Sequence, residues 1–86
     1  MENQHRKIKG YRELSQEEID LMNEIKAHFA ATDELIRKVN ALNEQLRVDG
    51  VDTSKSEPFR WSAMAKTSAQ LASMELTRAV AKPEFF

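Results

Sequence analysis

Apolar side chains in the first half of the chain recur at alternating steps of four and three residues. This spacing is typical of a long amphipathic helix whose seam packs against further helices. At 1.5 Å per residue, a helix over residues 15–48 is about 50 Å long, which a monomeric hairpin of this size does not cover. The apolar seam, in which two positions are polar, consists of Leu21, Ile25, His28, Thr32, Leu35, Val39, Leu42 and Leu46, and Met22, Phe29 and Ile36 widen it.

Local signals mark both ends of this helix. Ser15 followed by Glu18 is a capping box, in which the hydroxyl accepts from one orphan N–H and the carboxylate accepts from another. Gly50 suits the C′ position just beyond the helix. The Asp, Ser and Thr content of residues 49–57 predicts a connector after it.

A second helix is predicted over residues 58–81, followed by a tail over residues 82–86. Pro58 suits the first helical position, where its missing N–H costs nothing, and Pro83 prevents continuation of the helix. The two helices together predict an all-α helical hairpin. Small side chains are dense in the second helix, so that neighbouring helices can approach it closely: Ala63, Ala65, Ser68, Ala69, Ala72, Ser73 and Ala79.

Composition narrows the class of protein further. The chain has 86 residues, of which 41% are hydrophobic, so we expect one domain over residues 1–86. It has no cysteine and no long apolar run, which excludes disulfides, thiolate metal sites and a membrane span and fits a reducing cytoplasm. So small a domain without cross-links is expected to form a homo-oligomer. A net charge of −1 argues against a long nucleic acid as partner.

The N-terminal arm, residues 1–14, is basic and contains the single tyrosine. Lys9 and Arg12 supply cations for phosphate groups, and the ring of Tyr11 offers a surface on which a nucleobase can stack. Lys26 adds a further cation in the first helix. A small ligand with two or three phosphates needs only a few such cations, whereas a long polyanion needs a broad positive face.

The second helix begins with a further pair of cations. Arg60 and Lys66 lie near its N-terminus, where backbone N–H groups also favour anions. The sequence contains no HExxH motif, no cluster of histidine and carboxylate ligands and no ordered serine triad, and His28 is expected to be structural. We therefore predict a protein that is not an enzyme and that needs no metal and no other cofactor.

Two long stretches resemble the phage anti-CBASS sponge family, which shares a helical-hairpin domain with anti-Thoeris sponges. They are KGYRELSQEEIDLMNEIK over residues 9–26 and RWSAMAKTSAQLASMELTRAVAKPEFF over residues 60–86. CBASS is cyclic-oligonucleotide-based antiphage signalling. The resemblance implies an all-α homohexamer that sequesters cyclic di- and trinucleotide messengers without cleaving them, in the cytoplasm of the infected bacterium.

The resemblance also implies which residues bind the messengers. Tyr11 and Lys26 match the family's cyclic-dinucleotide pocket as stacking ring and phosphate-binding cation, and Lys9 and Arg12 accompany them. For the second pocket, which takes cyclic trinucleotides, the matching motif contains Arg60, Lys66 and Thr67.

Two alternative functions stay open at this point. One is a sponge for cyclic ADP-ribose signals, as in the anti-Thoeris relatives. The other is a structural or regulatory helical oligomer that pairs with a host protein through its seam. The distance between Tyr11 and Lys26 along one chain favours a site shared between neighbouring subunits.

Overall fold

The computed structural model describes residues 13–84, which form two antiparallel α-helices joined by a short connector. α1 spans Gln16–Val48 and α2 spans Pro58–Ala81. No strand occurs within this range, and the prediction of an all-α helical hairpin is confirmed. Most of the predicted arm lies outside the described residues, and the treatment of the whole chain as one domain stays a prediction.

α1 begins at the predicted capping box. The Glu18 N–H donates to Ser15 Oγ at 3.1 Å, and the Ser15 N–H donates to Glu18 Oε1 at 2.9 Å. The second carboxylate oxygen of Glu18 accepts from Lys82 Nζ at 3.2 Å. Because Lys82 directly follows α2, this ion pair joins the start of α1 to the end of α2.

The connector begins with a Schellman turn around Gly50. Gly50 has a φ of 84° and donates its N–H to the Arg47 carbonyl at 3.1 Å, while the Val51 N–H donates to the Leu46 carbonyl at 3.0 Å. These two bonds satisfy carbonyl groups at the end of α1 and confirm Gly50 as the C′ residue. Pro58 is the first residue of α2, as predicted.

The face of α1 that packs against α2 is rotated relative to the apolar seam. The residues that widen the seam are half-buried, whereas most of the seam's own side chains are exposed. The α2 residues on the packing face are small, which lets the two helices lie close together. The buried or half-buried positions include Met22, Ile25, Phe29, Ile36 and Leu46 of α1, and Ser62, Ala69, Ala72, Ser73 and Thr77 of α2.

Within residues 13–84 no apolar side chain is fully buried. Leu35 and Leu42 each remain 61% exposed, Val39 is exposed between them, and Leu21 is exposed on the same side of α1 nearer its start. We call these four residues the outer stripe. Scattered exposed apolar side chains are normal, but several on one side of a helix, in a hairpin whose residues 13–84 bury no apolar side chain fully, indicate an interaction surface.

Replacement of Ser15 by alanine is expected to destabilise the protein by about 1 kcal/mol, because the Glu18 N–H loses its acceptor. Ser68→Ala is the matched control: Ser68 is exposed within α2, and alanine has the higher helix propensity there. Thermal unfolding followed by circular dichroism measures both changes. If Ser15→Ala unfolds at the parent's temperature, the capping box does not contribute to stability.

Candidate functional site

Lys26 lines a cavity of about 320 Å³, here called the Lys26 cavity, between the start of α1 and the end of α2. Its side chain is exposed and forms no ion pair within residues 13–84. Asn23, almost one turn earlier on the same side of α1, also lines the cavity. On α2 the Thr77 hydroxyl donates to the Ser73 carbonyl at 2.8 Å, which leaves its oxygen to accept. Apolar walls complete the cavity: Leu14, Ile19, Met22 and Ile25.

Leu14 brings the start of the described chain to this cavity. It precedes α1 and yet lines the same space as Lys26. The other residues predicted to bind a cyclic dinucleotide, Tyr11, Arg12 and Lys9, lie outside the described residues. Of that set the structure therefore places Lys26 alone.

Lys66 lines a second cavity, the Lys66 cavity, of about 620 Å³. Ser73 of α2 lines both cavities, so they are neighbours along one groove between the helices. The Lys66 side chain is exposed and has no ion pair among the described residues. The remaining lining is apolar with two further polar side chains: Phe29, Ile36, Ala69 and Met74, with Asp33 and Gln70.

Arg60 and Thr67 lie apart from Lys66. Together they line a third, more open cavity of about 370 Å³ with Ala63, Met64 and Ser68. Arg60 and Thr67 are seven residues apart and share one side of α2, whereas Lys66 is turned about 100° away from Thr67. The three residues predicted for a cyclic trinucleotide are thus divided between two surfaces of the protomer.

Side chains around the third cavity are already engaged with their own helix. The guanidinium of Arg60 lies 5.4 Å from the ring centroid of Trp61, a cation–π contact. The Thr67 hydroxyl donates to the Ala63 carbonyl at 3.3 Å. Arg60 also approaches Glu57 at 3.9 Å. Lys66 has no comparable partner among residues 13–84 and is the cation more available to a ligand.

Three ionisable groups among residues 13–84 have shifted pKa values at the connector end of the hairpin. Arg47 hydrogen-bonds to the Glu44 carboxylate, which lowers the pKa of Glu44 and raises the pKa of Arg47. The N–H and hydroxyl of Ser54 both donate to Asp52, at 3.0 and 2.7 Å, and lower its pKa. These bonds hold the end of α1 and the connector, and none of these residues lines the Lys26 or Lys66 cavity.

The described residues carry no arrangement for metal binding. No group of three or more histidine, cysteine, aspartate or glutamate side chains among residues 13–84 could hold a metal ion. His28, on the exposed side of α1, meets Phe29 edge-on with ring centroids 5.2 Å apart. In the same range neither helix combines the length and the apolar character needed to cross a membrane.

The sequence analysis missed the amide and carboxylate side chains of the groove: Asn23, Asp33 and Gln70. Each of them lies about one or two helical turns from a predicted cation, on the same side of its helix. Asn23 is three residues before Lys26, Asp33 is seven after it, and Gln70 is four after Lys66. This spacing identifies site residues only once it is known which side of α1 faces the groove.

Within residues 13–84 the chain is thus a helical hairpin with two lysine-lined cavities between its helices. The chain belongs to the family described as Acb2/Tad1, hairpin domain, whose model matches residues 3–81. It is also 39% identical to Anti-CBASS protein 2 of Pseudomonas phage JBD67, in an alignment of 106 positions that covers 98% of each chain. The resemblance noted from the sequence is confirmed at the level of the family.

Proposed function

We propose that this protein is a phage anti-CBASS sponge that binds cyclic di- and trinucleotide messengers in the cytoplasm of the infected bacterium. The similarity to Anti-CBASS protein 2 over almost the whole chain supports the biological role. The proposed binding site rests on one observation: Lys26 and Leu14 line the same cavity. This places a cation that can bind phosphate beside the end of the segment that contains Tyr11.

Covalent geometry supports a joint role of Tyr11 and Lys26. Tyr11 precedes Leu14 by three residues, and three residues span at most about 10 Å. The separation of Tyr11 and Lys26 in the sequence favours a site shared between subunits, but Leu14 of the same chain lines the Lys26 cavity. We therefore propose instead that Tyr11 reaches a ligand held by the lysine of its own chain. Lys9 and Arg12 then add positive charge for the second phosphate.

The Lys66 cavity is the better candidate for the cyclic trinucleotide. It has almost twice the volume of the Lys26 cavity, at about 620 against 320 Å³, and lies within the range of cavities that hold small ligands. Lys66 supplies the cation and Phe29 an aromatic surface. Arg60 and Thr67 contribute to this ligand only if another subunit brings their face of α2 to the groove.

Sequestration without cleavage fits the side chains that line the groove. Lysine, amide, hydroxyl and apolar groups can hold phosphates and bases, and among residues 13–84 neither cavity is lined by a histidine or a pair of carboxylates for acid–base catalysis. We propose that the ligand leaves the protein intact and that no cofactor takes part. The outer stripe supports the further proposal of a homo-oligomer, with a hexamer as the expected state.

Calorimetric titration with cyclic di- and trinucleotides, followed by chromatography of the ligand released on denaturation, tests the proposed function. We expect saturable binding and recovery of the intact cyclic ligand. Linear products would contradict sequestration. Binding of cyclic ADP-ribose isomers alone would instead support an anti-Thoeris role, and no heat with any of these ligands would favour a helical oligomer that binds a host protein.

A further inference from the structure

Among residues 13–84, Asp33 is the single carboxylate that lines the Lys66 cavity. Its Oδ2 accepts from Arg37 at 3.0 Å across one helical turn, and its side chain is 35% exposed. No bond to Oδ1 is present among residues 13–84. A carboxylate in a cavity expected to bind a polyanion is at first sight unfavourable, because it repels phosphate.

The neighbours of Asp33 resolve this conflict. Lys66 provides a cation in the cavity. Arg37, which does not line the cavity, pairs with Asp33 and offsets its charge. Phe29, Ile36 and Met74 provide the apolar surface on which a base can pack. The cavity therefore has a region for phosphate at Lys66 and a separate acceptor, Asp33, beside an apolar surface.

A carboxylate distinguishes bases by their donors. An ionised aspartate only accepts hydrogen bonds. The Watson–Crick edge of guanine offers two adjacent N–H donors, N1–H and the N2 amino group, and both can point at one carboxylate. Adenine offers its N6 amino group beside the N1 lone pair, and that lone pair repels the carboxylate. A carboxylate held by Arg37 therefore favours guanine.

We propose that Asp33 is a specificity-determining residue that makes the Lys66 cavity prefer a cyclic oligonucleotide with guanine at one position over the same ligand with adenine there. This inference rests on the proposed function and names the base that the site selects. Gln70 lines the same cavity and can pair with either base through its amide, so the discrimination comes from Asp33.

The test uses Asp33→Asn and two cyclic trinucleotides that differ in one base, adenine or guanine. Asparagine has the same shape but presents one acceptor and one donor, which matches adenine. We expect the parent to bind the guanine-containing ligand about tenfold more tightly or better, and Asp33→Asn to lose or reverse this preference.

Glu34→Gln is the matched control. Glu34 is the next residue, also approaches Arg37, at 3.8 Å, and is 61% exposed, but it does not line the cavity. Its substitution removes the same charge and is expected to leave the preference between the two bases unchanged. An equal change in both variants would show a general effect of charge and overturn the inference.

The remaining outcomes separate this inference from the proposed function. If the parent binds neither cyclic trinucleotide nor any cyclic dinucleotide, the proposed function fails. If the parent binds both trinucleotides with equal affinity, the function stands and the role of Asp33 is wrong. If Asp33→Asn lowers the affinity for both trinucleotides by the same factor, Asp33 affects the structure of the cavity and does not select the base.

Discussion

Simultaneous replacement of Leu35 and Leu42 by glutamate is expected to dissociate the protein to its 9.9 kDa protomer. Both side chains are 61% exposed in the isolated hairpin and belong to the outer stripe. Burial of a leucine contributes about 1.5–3 kcal/mol, and a charge placed in an apolar interface adds a desolvation cost. Each position should thus weaken association by about tenfold or more. Light scattering at micromolar concentration measures the mass.

The variant with both leucines replaced is also expected to unfold at a lower temperature than the parent. Its dissociated protomer has no fully buried apolar side chain within residues 13–84 to stabilise it. Ala30→Glu with Ala41→Glu is the matched control. It adds the same charge to the same helix at exposed positions that lie well away from the outer stripe around α1. A parent that scatters as a monomer, or a control that dissociates as readily as the leucine variant, would refute the stripe as the association surface.

The ends of the helices could be predicted from the sequence because their signals are local. A capping box needs four residues and a Schellman turn needs one glycine, and neither depends on what the rest of the chain packs against. Ser15, Glu18 and Gly50 therefore make the bonds that their positions indicate. Pro58 begins α2 for the same reason.

The packing face could not be predicted in this way, because α1 carries apolar residues on two adjoining faces. One is the apolar seam with Leu35 and Leu42, and the other contains Phe29 and Ile36. Periodicity counts both as one broad hydrophobic surface. The hairpin uses the second face, against small side chains of α2, and leaves the first exposed. Which face packs depends on a helix that comes ten residues later in the chain.

For a similar reason, the sequence indicated the cations of the candidate site but not the polar residues around them. Lys26 and Lys66 both line the groove, but their polar neighbours Asn23 and Asp33 carry no sequence motif. The resemblance grouped Lys66 with Thr67 because both stand in the matching motif, yet adjacent residues in a helix point about 100° apart. A motif in a helix identifies a segment, and the contacts decide which of its residues share a surface.

Tyr11→Ala is expected to weaken the binding of a cyclic dinucleotide by about 10- to 100-fold, since stacking of a base on an aromatic ring contributes about 1–3 kcal/mol. Lys26→Ala should cost a similar factor and also reduce the salt dependence of binding, because one phosphate loses its cation. Titration at two salt concentrations separates these effects. Lys38→Ala is the control, as Lys38 is exposed on α1 and lines neither the Lys26 nor the Lys66 cavity.

Mixed oligomers decide whether one chain supplies both residues. If Tyr11 of one subunit joined Lys26 of another, mixing Tyr11→Ala with Lys26→Ala subunits would restore about a quarter of the sites, because some pairs would regain both native side chains. Leu14 lines the Lys26 cavity of its own chain, so we expect both residues from the same subunit. Every mixed site then lacks one of them, and no high-affinity binding returns. Recovery of parental affinity in the mixture would place the two residues on different subunits.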